Sequence, residues 1–529
     1  MTVLAIDLGT TGVKVAVVDD DATVVANAGE ALPLIFTGDG GVEQDAENWW
    51  WAIGRCAQRA IGSAGPAGRS ITLVAVTSQY SSTVPIASDG RSVGNAIMWM
   101  DARGHRHNPA TRDFGSREAV APVSGTWEPS ATARWYATHG MAPSGNDDIG
   151  HVAFIRAAQP DVYSAAVAFV EPMDAIAARL TGTVTATQNT MFPMLAVDNR
   201  IWGATDYSAE LLAMSGMDPA KLPRLVPMGA PRGEITAAAA RHLGVSEHAI
   251  VADATIDSVT SGVGTGAIDA SRCGLIVGTT TVMTTHVASK RLDAVHGLTT
   301  APSPLPGMYF LVAENGVGGK ALEVFVNNIL HADDGLGAPR PHDAFERVLA
   351  AAATAPAGAN GVMFLPWLVG SMAPGGQRRT RGGFVNLGIA STRADLARAV
   401  LEGVAMNAAW LLPHFSALAD TAYPEVTLGG GGAASPLWGQ IFADCFGVPV
   451  RRLANPTTTN AHGAALLALS QTGRLAIESV PSLLNTAELH EPAARHHDRY
   501  GRLVDALVDV HDRMAPFYQS LNAPKDESP

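Results

Sequence analysis

An acid, two threonines and a lysine stand close together near the start of the chain, in AIDLGTTGVKVAVVD. The β-rich runs on either side of the Gly-Thr-Thr corner predict a hairpin. In such a turn, the N–H groups and hydroxyls of Thr10 and Thr11 suit the oxygens of a phosphate. Asp7 suits Mg²⁺ held through water, and Lys14 adds a cation nearby. The alternative is that the Gly-Thr-Thr corner only forms the turn of the hairpin and binds no phosphate.

The same pattern returns in the second half of the chain, in GLIVGTTTVMTTHVA, which begins at Gly274. An internal repeat of this kind predicts two similar domains, each with a hairpin that grips phosphate. Gly278, Thr279 and Thr280 form the second corner. Val277 stands close to where the first copy has its acid, so we expect only the first hairpin to carry a metal ion.

A glycine-rich loop follows a third apolar strand, in VTLGGGGAASPLWGQIFAD. Its glycines remove side chains that would keep a flat ligand away from the backbone. Ser435 is a predicted N-cap, and Pro436 is the predicted first residue of the helix. Gly431, Gly432 and Ser435 are therefore candidate nucleotide contacts, and a purely structural turn is the alternative.

A long helix is predicted in the second half of the chain, beginning near Thr392. Thr392 and Asp395 have capping-box spacing. Apolar residues then recur on one face, which predicts packing against a core; they are Leu396, Val400, Val404, Ala408 and Leu411.

Composition limits the remaining possibilities. A chain of 529 residues favours two domains, and its net charge of −13 argues against nucleic acid as a partner. Its three cysteines lack metal-ligand spacing. The start has no signal-peptide pattern, and no apolar run is long enough to span a bilayer. We therefore expect a soluble, cytoplasmic protein without a membrane partner.

The order of the motifs resembles the FGGY family of carbohydrate kinases, on the duplicated actin-like ATPase fold. The motifs are AIDLGTTGVKVAVVD, GGVEQDAENWW, TSQYSSTVPIASDGRSVGNAIMWMDAR, DAIAARLTG, VADATIDSVTSGVGTG, GLIVGTTT, FLPWLVGSMAP, DLARAVLEGVA and LGGGGAASPLWGQIFAD. The resemblance implies an α/β fold with two ribonuclease H-like domains and a nucleotide cleft between them. We divide the chain into an N-terminal domain (1–258), a C-terminal domain (259–490) and a final helix and tail (491–529).

The resemblance also implies a catalytic base in ATIDSVTSG. Asp257 is our candidate because its spacing to Gly262 and Gly264 matches the family motif, and Asp253 is the rival. A carboxylate suits phosphoryl transfer because the proton leaves late, so a strong base is unnecessary.

The acceptor sugar is expected in the first domain, where a polyol needs convergent amides, hydroxyls and carboxylates. The candidate residues are Gln79, Tyr80, Ser81, Trp99, Asp101, Arg103, Asp257 and Ser258. Two alternatives stay open. Asp101 and Arg103 form either a buried structural pair or a sugar contact, and Trp99 either stacks on the sugar or fills the core.

This chain departs from familiar members at several positions. Tyr80-Ser81-Ser82 replaces the Met-His-Gly of xylulose kinases and the Arg-Glu of glycerol kinases, and Ser258 replaces Asn or Gln. These differences point away from both xylulose and glycerol as the acceptor. In the second domain, GSMAP replaces Gly-Glu-Arg-x-Pro, and Asn386 replaces a glycine.

The expected activity is transfer of a phosphoryl group from ATP, with Mg²⁺, to a small ketose such as a pentulose, or to a tetritol or other polyol. The alternatives are a glycerol kinase-type polyol kinase, an actin-like nucleotide switch without a sugar acceptor, and an inactive sugar sensor. Closure of the two domains would exclude water. A homodimer is compatible with the resemblance.

Overall fold

The structure is a computed structural model that describes residues 2–107 and 130–523. The last residues of the predicted tail lie outside this range. The β-strands are β1 Thr2–Gly9, β2 Gly12–Val18, β3 Val24–Ala31, β4 Ile35–Phe36, β5 Val42–Gln44, β6 Ile71–Ser78, β7 Val84–Ile86, β8 Ala96–Ile97, β9 Ala168–Val170, β10 Thr185–Ala186, β11 Arg224–Leu225, β12 Gly233–Glu234, β13 Ile250–Val251, β14 Thr255–Ile256, β15 Cys273–Val277, β16 Thr280–Val287, β17 Leu292–Asp293, β18 Leu298–Pro302, β19 Tyr309–Val317, β20 Met363–Leu365, β21 Gly383–Val385, β22 Val426–Gly429, β23 Val450–Leu453 and β24 Thr486–His490.

The α-helices are α1 Ala46–Ser63, α2 Ala131–Thr138, α3 Asp148–Ala158, α4 Pro160–Ala165, α5 Pro172–Thr181, α6 Ala209–Ser215, α7 Ala237–Leu243, α8 Asp257–Gly264, α9 Gly319–Val324, α10 Ala344–Thr354, α11 Arg393–Ala419, α12 Pro436–Phe446, α13 Thr459–Gln471, α14 Val480–Leu483 and α15 Ala494–Leu521. None of these helices, in the part of the chain that the structure describes, has the length and hydrophobicity needed to span a bilayer.

Two large mixed sheets organise the chain, and we call the sheets with their packed helices the N-terminal and C-terminal lobes. The N-terminal sheet has the order β12-β13-β6-β1-β2-β3, and β14 also pairs with β6. The C-terminal sheet has the order β17-β18-β19-β16-β15-β22-β23-β24. Its central part repeats the first sheet, because β15 pairs antiparallel with β16 and parallel with β22, as β1 does with β2 and β6. The internal repeat predicted from the two Gly-Thr-Thr corners is confirmed.

Strand β1 is buried on both faces of its sheet. Side chains alternate along a strand, so neighbouring residues of β1 point to opposite faces. Leu4 and Ile6 pack in one apolar cluster with residues of α1. Val3 and Ala5 pack in another with residues of α13. Helix α13 therefore lies on the N-terminal sheet although it comes from the second half of the chain.

Helix α8 connects the two lobes. Its Gly262 lies close to β16, since a Cβ there would be 3.0 Å from the Thr284 Oγ1 atom. The boundary that we placed between residues 258 and 259 falls inside this helix. The division into three segments stays a prediction.

The predicted capping box of α11 is confirmed. The Thr392 hydroxyl accepts from the Asp395 backbone N–H at 3.3 Å, and the Asp395 carboxylate accepts from the Thr392 N–H at 2.8 Å. Four of the five residues on the predicted apolar face are at most 1% exposed, and Leu396 is partly buried. This helix is the central support of the C-terminal lobe.

A buried histidine makes stability depend on pH. His286 is fully buried on β16, and its Nδ1 atom lies 2.7 Å from the Ala267 carbonyl oxygen. Burial lowers its pKa to about 4 from the ordinary 6.5. Between about pH 6.5 and pH 4, this histidine is therefore protonated in the unfolded chain but neutral in the folded protein. The free energy of unfolding consequently falls as the pH drops through this interval.

We expect His286→Gln to reduce the loss of stability between pH 7 and pH 5 by about 2 kcal/mol, because glutamine does not titrate. Urea unfolding of both proteins at pH 7 and pH 5 measures the difference. An identical loss in the variant and the wild type would contradict the role of His286. His139, whose pKa is also lowered by burial, retains its own contribution in both proteins.

Candidate active site

Neighbouring strands bring two acids together. In the N-terminal sheet, Asp7 pairs with Thr77 on β6, and Thr77 pairs with Thr255 on β14. Asp257 follows β14 directly as the first residue of α8. The sequence singled out these two acids, one for a metal ion and one as a base. Both therefore lie at the carboxyl ends of neighbouring parallel strands, which form one edge of the sheet.

The Asp257 carboxyl group binds its proton unusually tightly. Burial raises its pKa to about 8, and the nearby charges of Asp7 and Glu314 add to this effect. The Ser258 hydroxyl donates to Asp257 Oδ1 at 3.4 Å. Because part of its side chain stays accessible, Asp257 in its ionised form is placed to receive a proton from a group that enters the cleft.

Asp7 is only 4% exposed, and its Oδ1 atom has no hydrogen-bond partner among the described residues. Burial raises its pKa, while Lys14 and a hydrogen bond from Asn460 lower it. A buried carboxylate oxygen without a partner is costly unless a cation or water meets it. Within residues 2–107 and 130–523, no three His, Cys, Asp or Glu side chains gather as a complete metal site. The residues therefore fit an ion that keeps most of its water ligands.

The rival base, Asp253, has other partners. Its carboxylate accepts from Arg232 Nε at 2.9 Å and from the Gly229 backbone N–H at 2.7 Å. Arg232 also donates to Asp174 at 2.9 Å. Because all three side chains of this ionic cluster are buried, the geometry favours Asp257 over Asp253 as the base.

The predicted nucleotide residues of the C-terminal lobe lie side by side. Ile276, near the hairpin corner, pairs with Gly429 at the start of the glycine-rich loop. A Cβ on Gly432 would lie 2.5 Å from Val277 Cγ1, so the loop packs directly on the end of β15. At Gly431 a Cβ would meet no atom within 4 Å, which leaves open space beside the loop there.

The hydroxyls around this loop differ in availability. The Ser435 hydroxyl accepts from the Trp438 N–H at 3.3 Å and caps α12, as predicted. In contrast, Thr279 is exposed, while Gly278 and Thr280 are partly exposed. Thr11 and Lys14 of the first hairpin are exposed as well. The hairpin residues can thus reach a phosphate, whereas Ser435 mainly shapes the loop.

A pair of glycines that sequence reasoning missed supports the second hairpin. The Gly318 N–H donates to the Thr279 carbonyl at 2.9 Å, and the Gly319 N–H donates to the Gly278 carbonyl at 2.7 Å. A Cβ on Gly318 would lie 2.7 Å from the Thr280 carbonyl oxygen. The adjacent glycines in NGVGGKAL were the available signal.

On the acceptor side, one hydrogen-bond network joins the first hairpin to two candidate sugar residues. The Thr10 hydroxyl donates to Gln79 Oε1 at 2.8 Å and accepts from Trp99 Nε1 at 3.1 Å. Gln44 donates to the Thr10 carbonyl at 2.9 Å. Thr10, which we expected among the phosphate residues, thus lies with the acceptor group, and Trp99 is partly exposed beside it.

The loop after Gln79 is held from two directions. The backbone N–H groups of Ser81 and Ser82 donate to the buried Glu171 at 3.1 and 3.3 Å, and Ser81 adopts a left-handed conformation with φ of 58°. The Tyr80 hydroxyl donates to Glu314 Oε1 at 3.2 Å. Glu314 lies on β19 of the C-terminal lobe, so Tyr80 bridges the lobes beside Asp257.

Asp101 and Arg103 contact each other rather than the cleft. Arg103 Nη2 lies 2.7 Å from Asp101 Oδ2 and 2.6 Å from Glu43 Oε1, and Nη1 lies 3.2 Å from Asp39 Oδ2. Asp101 is fully buried and also accepts from the Val42 N–H at 2.8 Å. These contacts favour the structural alternative over direct contact with sugar.

Comparison with known proteins decides the family. Residues 2–264 match the N-terminal domain of the FGGY family of carbohydrate kinases, and residues 273–472 match its C-terminal domain. The chain belongs to the FGGY family. It is accordingly an ATP-dependent kinase of a sugar or polyol, with two ribonuclease H-like, actin-like ATPase domains and a cleft between them.

Several relatives of this FGGY kinase are similar over nearly their whole length. A xylulose kinase of Staphylococcus epidermidis is 25% identical over 504 residues, which cover 94% of each chain. A glycerol kinase of Polaromonas is 28% identical over 478 residues, which cover 88% of this chain and 89% of the relative. The structure of ligand-bound xylulose kinase from Lactobacillus acidophilus has a TM-score of 0.82 at 22% identity, covering 98% of this chain and 99% of the other.

One departure of this kinase from the family pattern has a simple local explanation. Asn386, at a position where the family pattern has glycine, adopts a left-handed φ of 60°. Its side chain donates to the Gly361 carbonyl oxygen at 2.9 Å. Asparagine tolerates this conformation better than other residues with a side chain, so the turn is kept without glycine.

Proposed function

We propose that this kinase transfers the γ-phosphoryl group of ATP to a hydroxyl of a small ketose or polyol, with Asp257 as the general base. The supporting observation is that Asp257 begins α8 within electrostatic reach of Asp7, at the edge of the sheet that carries the first hairpin. A hydroxyl placed beside Asp257 would give its proton to the carboxylate as its oxygen attacks the γ-phosphorus. ADP is the leaving group.

The two lobes divide the substrates between them. The exposed hairpin residues Thr11 and Thr279 are proposed to hold phosphate oxygens through N–H and hydroxyl groups. The open surface at Gly431 is proposed to hold adenosine. Gln79 and Trp99, fixed through Thr10, are proposed to orient the acceptor. Closure of the lobes would exclude water, which otherwise competes for the phosphoryl group.

Asp7 is proposed to hold Mg²⁺ through water ligands. The bound ion would neutralise phosphate charge and align the triphosphate. The support is the buried Oδ1 atom of Asp7, which has no partner among the described residues. Lys14, on the adjacent strand, would add positive charge for the same phosphates.

We expect Asp7→Asn to raise the Mg²⁺ concentration needed for half-maximal ATP binding and turnover by about 10- to 100-fold. The reason is that an amide holds metal-bound water less well than a carboxylate does. Calorimetric titration of ATP at a series of Mg²⁺ concentrations measures the shift, and turnover is followed in parallel. Asp21→Asn, on the exposed loop after β2, is the matched control. An unchanged Mg²⁺ dependence would remove Asp7 from the metal site.

The substrate class is tested by measuring ADP formation with pentuloses, hexuloses, tetritols and glycerol. The relatives named above are xylulose and glycerol kinases, but Tyr80, Ser81 and Ser258 differ from the residues usual in those groups. We therefore expect a ketose or polyol other than xylulose or glycerol to give the highest kcat/KM. ATP hydrolysis without stimulation by any of these acceptors would instead support a nucleotide switch. The homodimer stays a prediction.

A further inference from the structure

We propose that Glu314, contributed by the C-terminal lobe, is a selectivity residue that restricts the acceptor to uncharged ketoses and polyols and rejects sugar acids. This inference rests on the function proposed above. It concerns a residue that no motif of the sequence singled out. It also assigns part of the acceptor pocket to the lobe that is expected to bind nucleotide.

The position of Glu314 on β19 turns its side chain toward the N-terminal lobe. Phe310 and Val312, at alternate positions of the same strand, belong to the apolar cluster of the N-terminal lobe. Val282, which pairs with Glu314 across the sheet, packs against that cluster as well. Alternate residues of a strand, and directly paired residues, share a face. Glu314 therefore continues the face that meets the acceptor side.

The immediate neighbours of Glu314 are candidate acceptor residues. The Tyr80 hydroxyl donates to Glu314 Oε1 at 3.2 Å and also lies within hydrogen-bond reach of Ser258. Ser258 in turn contacts the Asp257 carboxylate. Since Glu314 is partly exposed, an acceptor hydroxyl that reaches Asp257 would pass beside both Tyr80 and Glu314.

The charges at this position are unbalanced. Glu314 forms no ion pair with any Lys, Arg or His among the described residues, and Asp257 forms none either. Arg103, the arginine among the candidate acceptor residues, is held by Asp101, Glu43 and Asp39. Recognition of a carboxylate normally uses an available Arg or Lys. Burial raises the pKa of both carboxyl groups, that of Asp257 to about 8. At pH 8 and above, where their ionisation is favoured, the two carboxylates beside the attacked hydroxyl would repel an anionic acceptor.

A purely structural role for Glu314, as the hydrogen-bond partner that holds Tyr80 in place, makes a different prediction. In that case removal of the negative charge would leave selectivity unchanged as long as an oxygen acceptor remained for Tyr80. Glu314→Gln keeps such an oxygen and removes only the charge. Tyr80→Phe keeps the charge and removes only the hydrogen bond.

The experiment compares neutral acceptors with their acid counterparts at pH 8. The probes are D-xylulose, erythritol and glycerol, set against D-xylonate, D-erythronate and D-glycerate. For wild type, we expect kcat/KM to favour the best neutral acceptor over its acid by more than about 100-fold. In Glu314→Gln this ratio should fall at least about tenfold, through better use of the acid, with the KM for ATP unchanged.

Two controls identify the cause. Glu346→Gln, the same change on the exposed side of α10, should leave the ratio at its wild-type value. Tyr80→Phe should raise the KM for the neutral acceptor and for its acid alike, so that the ratio does not fall. Melting temperatures of all variants show whether each protein is folded.

The outcomes separate this inference from the proposed function. Turnover of neutral acceptors with the same ratio in wild type and Glu314→Gln overturns the selectivity role alone. So does wild-type turnover of an acid as fast as that of its neutral counterpart. If no acceptor is phosphorylated, the proposed function fails. Calorimetric binding of D-erythronate and D-xylonate then decides the inference, which requires tighter binding to Glu314→Gln than to wild type.

Discussion

Replacing Asp257 with asparagine is expected to lower kcat for acceptor phosphorylation by about 10²- to 10⁴-fold, the usual contribution of a general base. The amide has almost the same shape but cannot accept the proton of the attacking hydroxyl. ATP binding should change little, because Asp257 lies on the acceptor side, beside Ser258 and Tyr80. Initial rates with the best acceptor, together with calorimetric titration of ATP, measure the two effects separately.

The stability of this variant provides a further check. Burial and the charges of Asp7 and Glu314 disfavour the ionised carboxylate of Asp257, so an amide should leave the melting temperature unchanged or raise it. Loss of activity could then not be attributed to unfolding. Asp253→Asn is the matched control, and the folded variant should retain turnover because Asp253 accepts from Arg232 and Gly229. If Asp253→Asn abolished turnover and Asp257→Asn retained it, Asp253 rather than Asp257 would be the general base.

Arg232→Met is expected to destabilise the protein by about 3–5 kcal/mol, because it leaves two buried carboxylates without their cation. Arg232 lies 2.9 Å from both Asp174 and Asp253, and all three side chains are at most 1% exposed. Burial already raises the pKa of Asp174 to about 6, so loss of the guanidinium should favour its neutral form further. Urea unfolding followed by circular dichroism measures the change.

An exposed pair offers the comparison for this effect. Arg241 lies 3.2 Å from Glu247, with both side chains more than half exposed. Arg241→Met should therefore cost no more than about 1 kcal/mol. If Arg232→Met proves equally mild, the buried cluster does not stabilise the N-terminal lobe in the way that its geometry implies.

Local chemistry explains why much of the fold was predictable. The two Gly-Thr-Thr corners, the capping box at Thr392 and the N-cap at Ser435 depend on residues within a few positions of each other. Their structures are the predicted ones. The order of the motifs then identified the family, and the domain matches confirm it.

Other features depended on residues far apart in sequence. Asp101 and Arg103 could have contacted sugar, until the fold placed Glu43 and Asp39 beside the arginine. The motif predicts that Thr10 contacts phosphate. In the fold, however, the Thr10 hydroxyl is hydrogen-bonded to Gln79 and Trp99. The motif spacing favoured Asp257 over Asp253 as the base, but only the tertiary fold brings Arg232 to Asp253.

By itself the sequence determined the duplicated α/β architecture, the hairpins and the family, because strand alternation, turns and caps are set by neighbouring residues. Only the tertiary structure decided which polar side chains meet across the lobes. Asn460 reaches Asp7 because α13 packs on β1, and Glu314 reaches Tyr80 because β19 faces the N-terminal core. Such contacts arise when elements far apart in sequence pack together, and the periodicity of a single strand or helix does not identify its partner.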